Sequence, residues 1–444
     1  MMPDRFHAKA LGREVRPALS LDEARAEANR CLFCHDAPCM RACPTHIDVP
    51  LFIRQIGTSN PGGAARTIFA SNVLGASCAR VCPTEVLCEG ACVLGDQHRP
   101  IAIGPLQRYA TDFAWASGQP ILSAGKKVSG SVGIVGGGPA GLSCAAELLK
   151  HGLDAVIYEA ADFLGGLSAV GVAEYKMTHA SAQAEVKWLV SAGLSFQLGV
   201  RVGQDKSLDE LLSQHDAVFV GVGLGAIPGV GVPGEDLPGV WDALDWIAAL
   251  KVGDPEVFEA VRGARVAVIG GGNTAMDVAS QSLRAGAAHV WVVYRRGREQ
   301  MPAYAHEITL AQKHGAEFVL HAVPHRVLGP SRGVLPGAKR KSHIAGFEFG
   351  RRLADGGEKL ETLPADLLVR ATGQKGTSLV SELGVLLDGH KIVIDQHGRS
   401  SRPRVYAGGD CVSGGQEVVH AVAAGQRAAQ AIIADLKAQT RGAQ

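Results

Sequence analysis

The sequence predicts a helical N-terminal domain followed by a larger α/β part in which a strand–helix–strand unit occurs twice. Three observations support this fold class. Eight of the ten cysteines lie between Cys31 and Cys92, and from Val132 onward apolar runs alternate with glycine turns and alanine-rich stretches. The segment RVAVIGGGNTAMDVASQSLRAGAAHVWVVYRR, which starts at Arg265, also repeats SVGIVGGGPAGLSCAAELLKHGLDAVIYEA, which starts at Ser131. Strands that alternate with helices indicate parallel sheets, and the repeat indicates two nucleotide-binding units.

Composition narrows the classes of function. The 444 residues are enough for roughly two to four domains, and 44 basic residues nearly balance 43 acidic ones. Such a balance makes nucleic acid or an anionic membrane an improbable main partner. The N-terminal segment MMPDRFHAKALGREVRPALS has no apolar core of a secretory signal, and glycine and proline interrupt the uncharged stretches 128–146 and 217–234. We therefore expect a cytoplasmic protein without membrane spans, in which clustered cysteines serve metal or redox chemistry.

The cysteine spacing is the most specific signal. The two runs read Cys31-x2-Cys34-x4-Cys39-x3-Cys43-Pro and Cys78-x3-Cys82-Pro-x4-Cys88-x3-Cys92. Two groups of four, each with a Cys-Pro, resemble the two-cluster ferredoxin pattern, although its middle spacing is usually two. Tetrahedral zinc is the alternative, since zinc sites also use C-x2-C pairs. Only one such pair occurs here, so 4Fe-4S clusters are favoured.

The first nucleotide-binding unit carries G-x-G-x-x-G between an apolar strand and a helix. Gly136 permits the turn, Gly138 admits a pyrophosphate, and Gly141 lets the helix pack closely on the strand. Pro139 and Ala140 begin the helix, whose N-terminus favours negative charge. Glu159 ends the next strand, where a carboxylate accepts hydrogen bonds from ribose hydroxyls. A plain glycine turn is the alternative interpretation.

The second unit has a different residue at the end of its second strand. Its turn and helix start carry Gly270, Gly272, Asn273 and Thr274. Arg295 and Arg296 stand where the first unit has Glu159. A carboxylate there would repel a 2′-phosphate, whereas guanidinium groups pair with it, so we expect NADPH in preference to NADH. Two solvated arginines at a strand end are the alternative.

Near the C-terminus the sequence resembles the two-dinucleotide-binding flavoproteins. VYAGGDC presents Gly409 and Asp410 after a strand, and a helical stretch follows at 418–436. The resemblance implies that Asp410 contacts the ribityl chain of FAD and that the following helix points its N-terminus at the flavin. Gly165 and Gly166, and the strand-to-turn pieces 220–223 and 371–373, look like further parts of this pattern. It implies a discontinuous FAD domain, at 128–235 and 365–444, around an NADPH domain at 236–364.

Two cysteine-rich segments read RCLFCHDAPCMRACPTHIDVPLFI and NVLGASCARVCPTEVLCEGAC, and the segment PIAIGPLQRYATDF follows them. The α/β part carries GGLSAVGVAEYKM and VYRRG. The first three segments resemble the N-terminal iron-sulfur segments of dihydropyrimidine dehydrogenase, and the last two are similar to its flavin half. The resemblance covers almost the whole chain and is strongest to the flavin/iron-sulfur subunits of two-subunit bacterial forms. Glutamate synthase small subunits share the architecture, but their first cysteine segment usually lacks Asp-Ala-Pro-Cys, which stands here at 36–39.

Carried onto this sequence, the resemblance implies a site for each cofactor. Within a helical domain at 1–120, one 4Fe-4S cluster would be held by Cys31, Cys34, Cys39 and Cys92. The other would be held by Cys43, Cys82 and Cys88, with either Cys78 or Gln107 as fourth ligand. FAD would lie on Gly136, Gly138, Pro139, Ala140, Gly141, Glu159, Gly166, Leu167, Lys176, Gly409 and Asp410. NADPH would lie on Gly270, Gly272, Asn273, Thr274, Arg295, Arg296, Ala371, Thr372 and Gly373. Lys176 stands where the animal enzyme has an arginine near FAD.

The resemblance implies an electron path from NADPH through FAD and two clusters to another polypeptide. The chain has no FMN barrel, so an FMN-containing partner would reduce uracil or thymine. No catalytic acid, base or nucleophile is expected, because FAD itself converts hydride into single electrons. Cys144 and Cys411 do not form a C-x-x-C pair and are interpreted as packing residues, and His35 as a local hydrogen-bonding residue. The alternatives are a glutamate synthase small subunit and, in a different class, a zinc and nucleotide sensor.

Overall fold

The protein is represented by a computed structural model that describes residues 14–118, 120, 122–329, 344–352 and 357–442, without the side chains at 352 and 440–442. Most of the N-terminal segment inspected for a signal lies outside these residues. The chain forms two compact units. The large unit comprises Arg16–Ala169, Ala180–Gly225 and Gly376–Gln444, and the inserted unit comprises Val170–His179 and Ala226–Lys375 with the two described residues before Arg16. Among the described helices, none combines the length and the apolar character that crossing a membrane requires.

The N-terminal part of the large unit is helical, and no strand occurs in its described residues up to Gly118. Its helices are α1 (Leu21–Ala28), α2 (Pro38–Arg41), α3 (Val49–Gly57), α4 (Pro61–Ser71), α5 (Gly75–Val81) and α6 (Ile103–Ser117). Side chains mark several starts: Ser20 forms a capping box with Glu23, and Asp48 accepts a hydrogen bond from the Leu51 amide. The helices bury an apolar core that contains Phe52 and Leu106.

The remainder of the large unit is built on one parallel sheet of order β15-β4-β1-β2-β3. Its strands are β1 (Ser131–Val135), β2 (Asp154–Glu159), β3 (Ser195–Leu198), β4 (Ala217–Val220) and β15 (Val405–Ala407). Its helices are α7 (Pro139–Lys150), α8 (Leu167–Val170), α9 (His179–Ser191), α10 (Leu208–Gln214), α15 (Ser378–Glu382), α16 (Asp410–Ser413) and α17 (Val418–Gly442), and β13 (Leu387–Asp388) pairs with β14 (Lys391–Ile392). The C-terminal strand β15 therefore completes a sheet that the chain left about 185 residues earlier.

The inserted unit repeats this architecture. Its parallel sheet has the order β5-β12-β6-β7-β8, and an antiparallel sheet has the order β11-β10-β9. The strands are β5 (Val240–Asp242), β6 (Arg265–Ile269), β7 (His289–Tyr294), β8 (Glu317–Leu320), β9 (Ala322–Leu328), β10 (Gly346–Arg352), β11 (Glu358–Leu363) and β12 (Leu367–Arg370). The helices are α11 (Ala243–Val252), α12 (Pro255–Val261), α13 (Asn273–Arg284) and α14 (Ala305–His314). The two copies of the sequence repeat thus form β1-α7-β2 and β6-α13-β7.

Both predicted boundaries of the NADPH domain differ from the structure. Its first boundary was expected at residue 236, but the inserted unit already includes the chain from Ala226. The second flavin segment was expected from residue 365, but β12 pairs in parallel with both β5 and β6 of the inserted unit. The large unit resumes at Gly376. The short strand Leu367–Arg370 has three apolar residues and an arginine, a pattern that fits a strand of either sheet, so composition alone does not assign it.

The short segment Val170–His179 packs in the inserted unit through a buried lysine. The ammonium of Lys251, on α11, donates hydrogen bonds to the carbonyl oxygens of Val172 and Met177, both at 2.8 Å. Lys251 is fully buried, and burial lowers its pKa to about 8 although Glu174 opposes this shift. Burial likewise raises the pKa of the Glu174 carboxyl to about 7. A buried cation is tolerated here because backbone carbonyls and a carboxylate surround it.

We predict that Lys251→Met destabilises the inserted unit by about 3–5 kcal/mol, because the substitution removes the cation and leaves the Glu174 charge without it. Urea unfolding followed by tryptophan fluorescence reports on this unit through Trp241 and Trp246, whose rings lie 5.6 Å apart. Hydrogen exchange of the amides at 172–177 should accelerate. The exposed Lys313→Met is the matched control, and equal stabilities of the two variants would contradict the prediction.

Candidate flavin, nucleotide and iron-sulfur sites

The first glycine turn leaves no room for a side chain at its first and last glycines. Gly136 has φ +100°, and a Cβ atom there would lie 2.6 Å from the carbonyl oxygen of Gly221. A Cβ atom at Gly141 would lie 1.9 Å from the carbonyl oxygen of Gly136. Gly138 is the N-cap of α7, with Pro139 and Ala140 in its first turn. The turn therefore brings backbone amides and the positive end of α7 to an open surface where a pyrophosphate can bind.

Glu159 lies directly beside this turn. One carboxylate oxygen accepts a hydrogen bond from the Gly137 amide at 2.6 Å, and the other accepts one from the Ala161 amide at 2.8 Å. These two bonds fix the carboxylate at the end of β2. Each oxygen retains acceptor capacity, so the pair can still receive the hydroxyls of a ribose.

Two further predicted segments meet at the same helix start. A Cβ atom at Gly166 would lie 2.9 Å from the Cα atom of Gly138, and one at Gly409 would lie 3.0 Å from the Cβ atom of Ala140. Leu167, which follows Gly166, is 38% exposed. The Asp410 carboxylate accepts a hydrogen bond from the Gln416 amide at 3.0 Å, and burial raises its pKa. The structure thus gathers these residues around the N-terminus of α7.

Lys176 belongs to the inserted unit, where its ammonium lies 2.6 Å from Asp277 Oδ1 and 2.6 Å from Glu307 Oε1. The Tyr175 hydroxyl donates to the same Asp277 oxygen at 2.8 Å. The lysine is therefore neutralised by carboxylates from α13 and α14. These carboxylates were not singled out from the sequence, because their partner lies about 100 residues or more away along the chain.

The second glycine turn is closed from two sides. Gly270 has φ +147°, and a Cβ atom there would lie 2.2 Å from the Ala371 carbonyl oxygen. A Cβ atom at Gly271 would lie 2.6 Å from the ring of Tyr294. Asn273, in the first turn of α13, accepts a hydrogen bond from the Tyr304 amide at 2.9 Å. The structure therefore brings the end of β12, at Ala371, to the start of the nucleotide-binding helix.

The remaining predicted nucleotide residues lie at the same carboxyl edge of the sheet. Gly272 is the N-cap of α13, and Thr274 is in its first turn. The Thr372 hydroxyl donates to the Pro228 carbonyl at 3.1 Å, and Gly373 has φ +93°. Arg295 and Arg296 follow Tyr294 at the end of β7 and are exposed. Neither guanidinium has an ion-pair partner among the residues that the structure describes.

Four of the eight clustered cysteines line a first cavity, here called the first cage. They are Cys31, Cys34, Cys39 and Cys92. The other walls are mainly apolar and include Val49, Ile53 and Ile103. Burial raises the pKa of the Cys39 thiol to about 11. Leu32 and Val93, which also line the first cage, are 60% and 41% exposed, so the first cage lies close to the surface.

The other four cysteines line a second cavity, here called the second cage. They are Cys43, Cys78, Cys82 and Cys88, and Gln107 lines the same cavity. Gln107 donates its amide hydrogen to the Gly75 carbonyl at 2.7 Å, so its side-chain oxygen remains available. A hydrogen bond with Cys78, followed by burial, raises the pKa of the Cys82 thiol well above its usual range. Among the residues that the structure describes, no three or more His, Cys, Asp or Glu side chains lie close enough together to bind one metal ion directly.

A cleft of ≈ 440 Å³ lies between the loops of the second cage and the turn at Gly409. On one side it is lined by Ala42 and Pro44, which flank Cys43, and by Leu87, which precedes Cys88. On the other side it is lined by Gly409 and by the start of α17. Val419 of α17 lines the second cage, and its neighbour His420 lines the cleft. The sequence motifs give no signal for this juxtaposition, because it depends on how a C-terminal helix packs on N-terminal loops.

Three residues that were expected to have no cofactor role do not line the two cages. Cys144 is buried in α7, and the thiol of Cys411, in α16, donates to the Gly408 carbonyl at 3.3 Å. His35 is exposed between two cysteines of the first cage. None of the three is among the residues that line either cage.

Comparison with known proteins identifies both parts of the chain. Residues 8–119 match the family model described as dihydropyrimidine dehydrogenase domain II, 4Fe-4S cluster, and residues 130–425 match that of pyridine nucleotide-disulphide oxidoreductase. The chain is 34% identical over 442 residues to the glutamate synthase [NADPH] small chain of Escherichia coli K12, covering 95% of this chain and 93% of that protein. It is 36% identical over 421 residues to the NAD-dependent dihydropyrimidine dehydrogenase subunit PreT of the same organism, covering 94% and 96%.

Solved structures show the same flavoprotein fold. Mycobacterium tuberculosis FprA in complex with NADPH superimposes with a TM-score of 0.55 at 24% identity, covering 71% of this chain and 86% of that one. Thioredoxin reductase from T. acidophilum gives a TM-score of 0.54 at 24% identity, covering 69% and 99%. These matches confirm the predicted helical domain followed by an α/β two-dinucleotide-binding fold. The chain belongs to the pyridine nucleotide-disulphide oxidoreductase family, and it is an NAD(P)H-dependent flavin and iron-sulfur oxidoreductase of the kind that serves as an electron-transfer subunit.

Proposed function

We propose that this chain is the electron-input subunit of a dihydropyrimidine dehydrogenase. It takes electrons from NADPH and passes them through FAD and two 4Fe-4S clusters to an FMN-containing partner that reduces uracil or thymine. The main observation that supports the proposed electron path is the cleft that is lined by Gly409 on one side and by the loops of the second cage on the other. Similarity to the PreT subunit over 94% of the chain supports the substrate class.

The residues of the large unit fit FAD. Side chains at Gly136 or Gly141 would collide with backbone carbonyl oxygens, and the Glu159 carboxylate beside this turn would accept hydrogen bonds from a ribose. Gly409 and Asp410 lie where the ribityl chain would follow. When bound, FAD accepts a hydride from a nicotinamide and releases single electrons to iron-sulfur clusters. The contribution of the protein is to hold and orient the flavin, and no side chain is required as an acid, base or nucleophile.

The cages fit two iron-sulfur clusters. Each is lined by four cysteines, and the other residues that line each cage are mainly apolar. We assign one cluster to Cys31, Cys34, Cys39 and Cys92, and the other to Cys43, Cys82 and Cys88 with Cys78 or Gln107. The second cage borders the cleft and would receive electrons first. The first cage, near the surface at Leu32 and Val93, would deliver them to the partner.

Iron content tests this assignment. We predict that Cys82→Ala and Cys34→Ala each lose about half of the iron of the anaerobically purified protein, because each removes one thiolate from a different four-ligand site. Cys144→Ala, which alters a buried cysteine outside both cages, should keep full iron. Assays of iron and acid-labile sulfide, together with EPR spectra, provide the measurement. Comparing the iron content of Cys78→Ala with that of Gln107→Ala identifies which of the two residues is the eighth ligand. Stoichiometric zinc without iron or flavin would instead support the sensor alternative.

The nucleotide preference depends on Arg295 and Arg296. The PreT relative is named NAD-dependent and the glutamate synthase small chain is named for NADPH, so family membership does not determine the preference. Both arginines lie exposed at the end of β7, within the edge of the sheet where the second glycine turn lies. A 2′-phosphate placed there would gain charge-assisted hydrogen bonds. These arginines therefore support NADPH.

We predict that Arg295→Ala or Arg296→Ala raises the KM for NADPH by about tenfold to a hundredfold, since a hydrogen bond to a charged group contributes about 1.5–3 kcal/mol. The KM for NADH should change little. Initial rates of ferricyanide reduction by the purified chain provide the measurement, with the exposed Arg262→Ala as control. Equal catalytic efficiencies with the two nucleotides, unaltered by Arg295→Ala, would overturn the preference.

The electron acceptor is tested with the isolated chain and with its native complex. We predict that the pure chain reduces ferricyanide with NADPH but leaves uracil unchanged, because in the proposed division the pyrimidine-reducing site and its FMN belong to the partner. The complex isolated from the native host should contain FMN and reduce uracil. A large glutamine-using partner would establish the glutamate synthase alternative, which 34% identity to that small chain also supports. Uracil reduction by the pure chain would contradict the proposal that the pyrimidine site lies on a partner.

The clustered cysteines also support a cytoplasmic location, because thiols stay reduced in that compartment.

A further inference from the structure

We propose that Glu185 is a positioning residue for the second cage and that its charge helps to set the reduction potential of the cluster there. This inference rests on the proposed function only in that the second cage holds a 4Fe-4S cluster. Glu185 lies on α9 of the α/β part, far from the cysteines in sequence, and no motif marks it. Its side chain is fully buried.

The carboxylate of Glu185 caps the start of α5. One oxygen accepts a hydrogen bond from the Ala76 amide at 2.8 Å. The other accepts one from the Ser77 amide at 3.0 Å and a second from the Ser77 hydroxyl. The N-cap residue Leu74 supplies no side-chain hydrogen bond of its own. Glu185 thus satisfies first-turn amides that would otherwise be buried without a partner.

Helix α5 is a wall of the second cage. Cys78 follows Ser77 directly, and Cys82 is the C-cap of the same helix. A shift or rotation of α5 would therefore move two cysteines of the cage together. Because Glu185 holds the two residues before Cys78, it fixes the position of this wall relative to the flavin-binding part.

Polar contacts from α6 in the helical part also hold α5. Gln107 donates to the Gly75 carbonyl at 2.7 Å, and Asp112 pairs with Arg80 at 2.7 Å. Arg80 also donates to the Ala76 carbonyl at 3.2 Å. Glu185 approaches from the α/β part instead, so α5 is held from both parts of the large unit.

A buried carboxylate also acts on the cluster through its charge. A negative charge in a medium of low dielectric constant opposes the addition of an electron nearby, and net charge and hydrogen bonding are known determinants of cluster potential. Burial raises the pKa of Glu185 to about 7, although the hydrogen bonds from Ser77 and Ala76 and the charge of Arg80 oppose that shift. Above this pH the carboxylate is ionised and lowers the potential of the second cluster.

Glu185→Gln removes the charge and keeps part of the hydrogen bonding. Its amide oxygen still accepts from one backbone amide, and its NH2 group, which replaces the other acceptor, can donate to the Ser77 hydroxyl oxygen. Iron and flavin contents are measured first and should remain complete enough for both clusters to be titrated. An EPR-monitored redox titration at pH 8.5 should show a positive shift in the potential of the second cluster and none in that of the first. The matched control, Glu382→Gln, removes a charge at an exposed position of the same unit and should shift neither.

Two further variants test positioning. Glu185→Ala should lose the iron of the second cage, about half of the total, and keep that of the first. Ser77→Ala removes one hydrogen bond and no charge, so a chelator should extract iron from the second cage several-fold faster. Unchanged extraction from Ser77→Ala, or an unshifted potential in a fully loaded Glu185→Gln protein, would overturn the inference. A wild-type protein without iron-sulfur clusters would instead refute the proposed function.

Discussion

The close contact between α7 and α17 is the constraint on which the large unit depends. A Cβ atom at Gly425, in α17, would lie 2.1 Å from the carbonyl oxygen of Ala140 in α7. The two helices can approach so closely only because this position has no side chain. The N-terminal turn of α7 faces the flavin site, while Val419 of α17 lines the second cage. One helix pair therefore fixes both the nucleotide cradle and one wall of the cage.

Buried charges reinforce this arrangement at a few points. Glu185 in the large unit and Lys251 in the inserted unit are both fully buried, and each binds backbone groups of a segment distant in sequence. Such groups are costly to bury and are retained only where hydrogen bonds compensate. A directional polar contact specifies one position of a segment, whereas apolar packing tolerates small shifts. That distinction matters for a cage, since its ligands must converge on one cluster.

The sequence predicted the features that are encoded locally. Glycine turns, cysteine spacing and the alternation of strands and helices each depend on residues close together in the chain. The spacing alone placed Cys92 in the second run of cysteines, and only the family resemblance grouped it with Cys31, Cys34 and Cys39, beside which it lines the first cage. Contacts between distant segments carried no such signal. Glu185 and Ser77 are 108 positions apart, and Lys176 and Glu307 are 131 apart. The strand β12 was assigned to the wrong domain for the same reason. Three apolar residues and an arginine do not specify the sheet to which a strand belongs.

The helical part and the flavin-binding sheet belong to one compact unit. The boundary predicted at residue 120 therefore does not separate two independently packed domains. Its apolar core includes Val419 of α17, and Phe69 of α4 packs on Trp188 of α9 with ring centroids 5.0 Å apart. Electron transfer between two cofactors requires that their separation be reproducible from molecule to molecule. A flexible linker between two independent domains would not ensure this, whereas a core completed by residues of both parts does. The physical basis of the proposed path is therefore a shared interior.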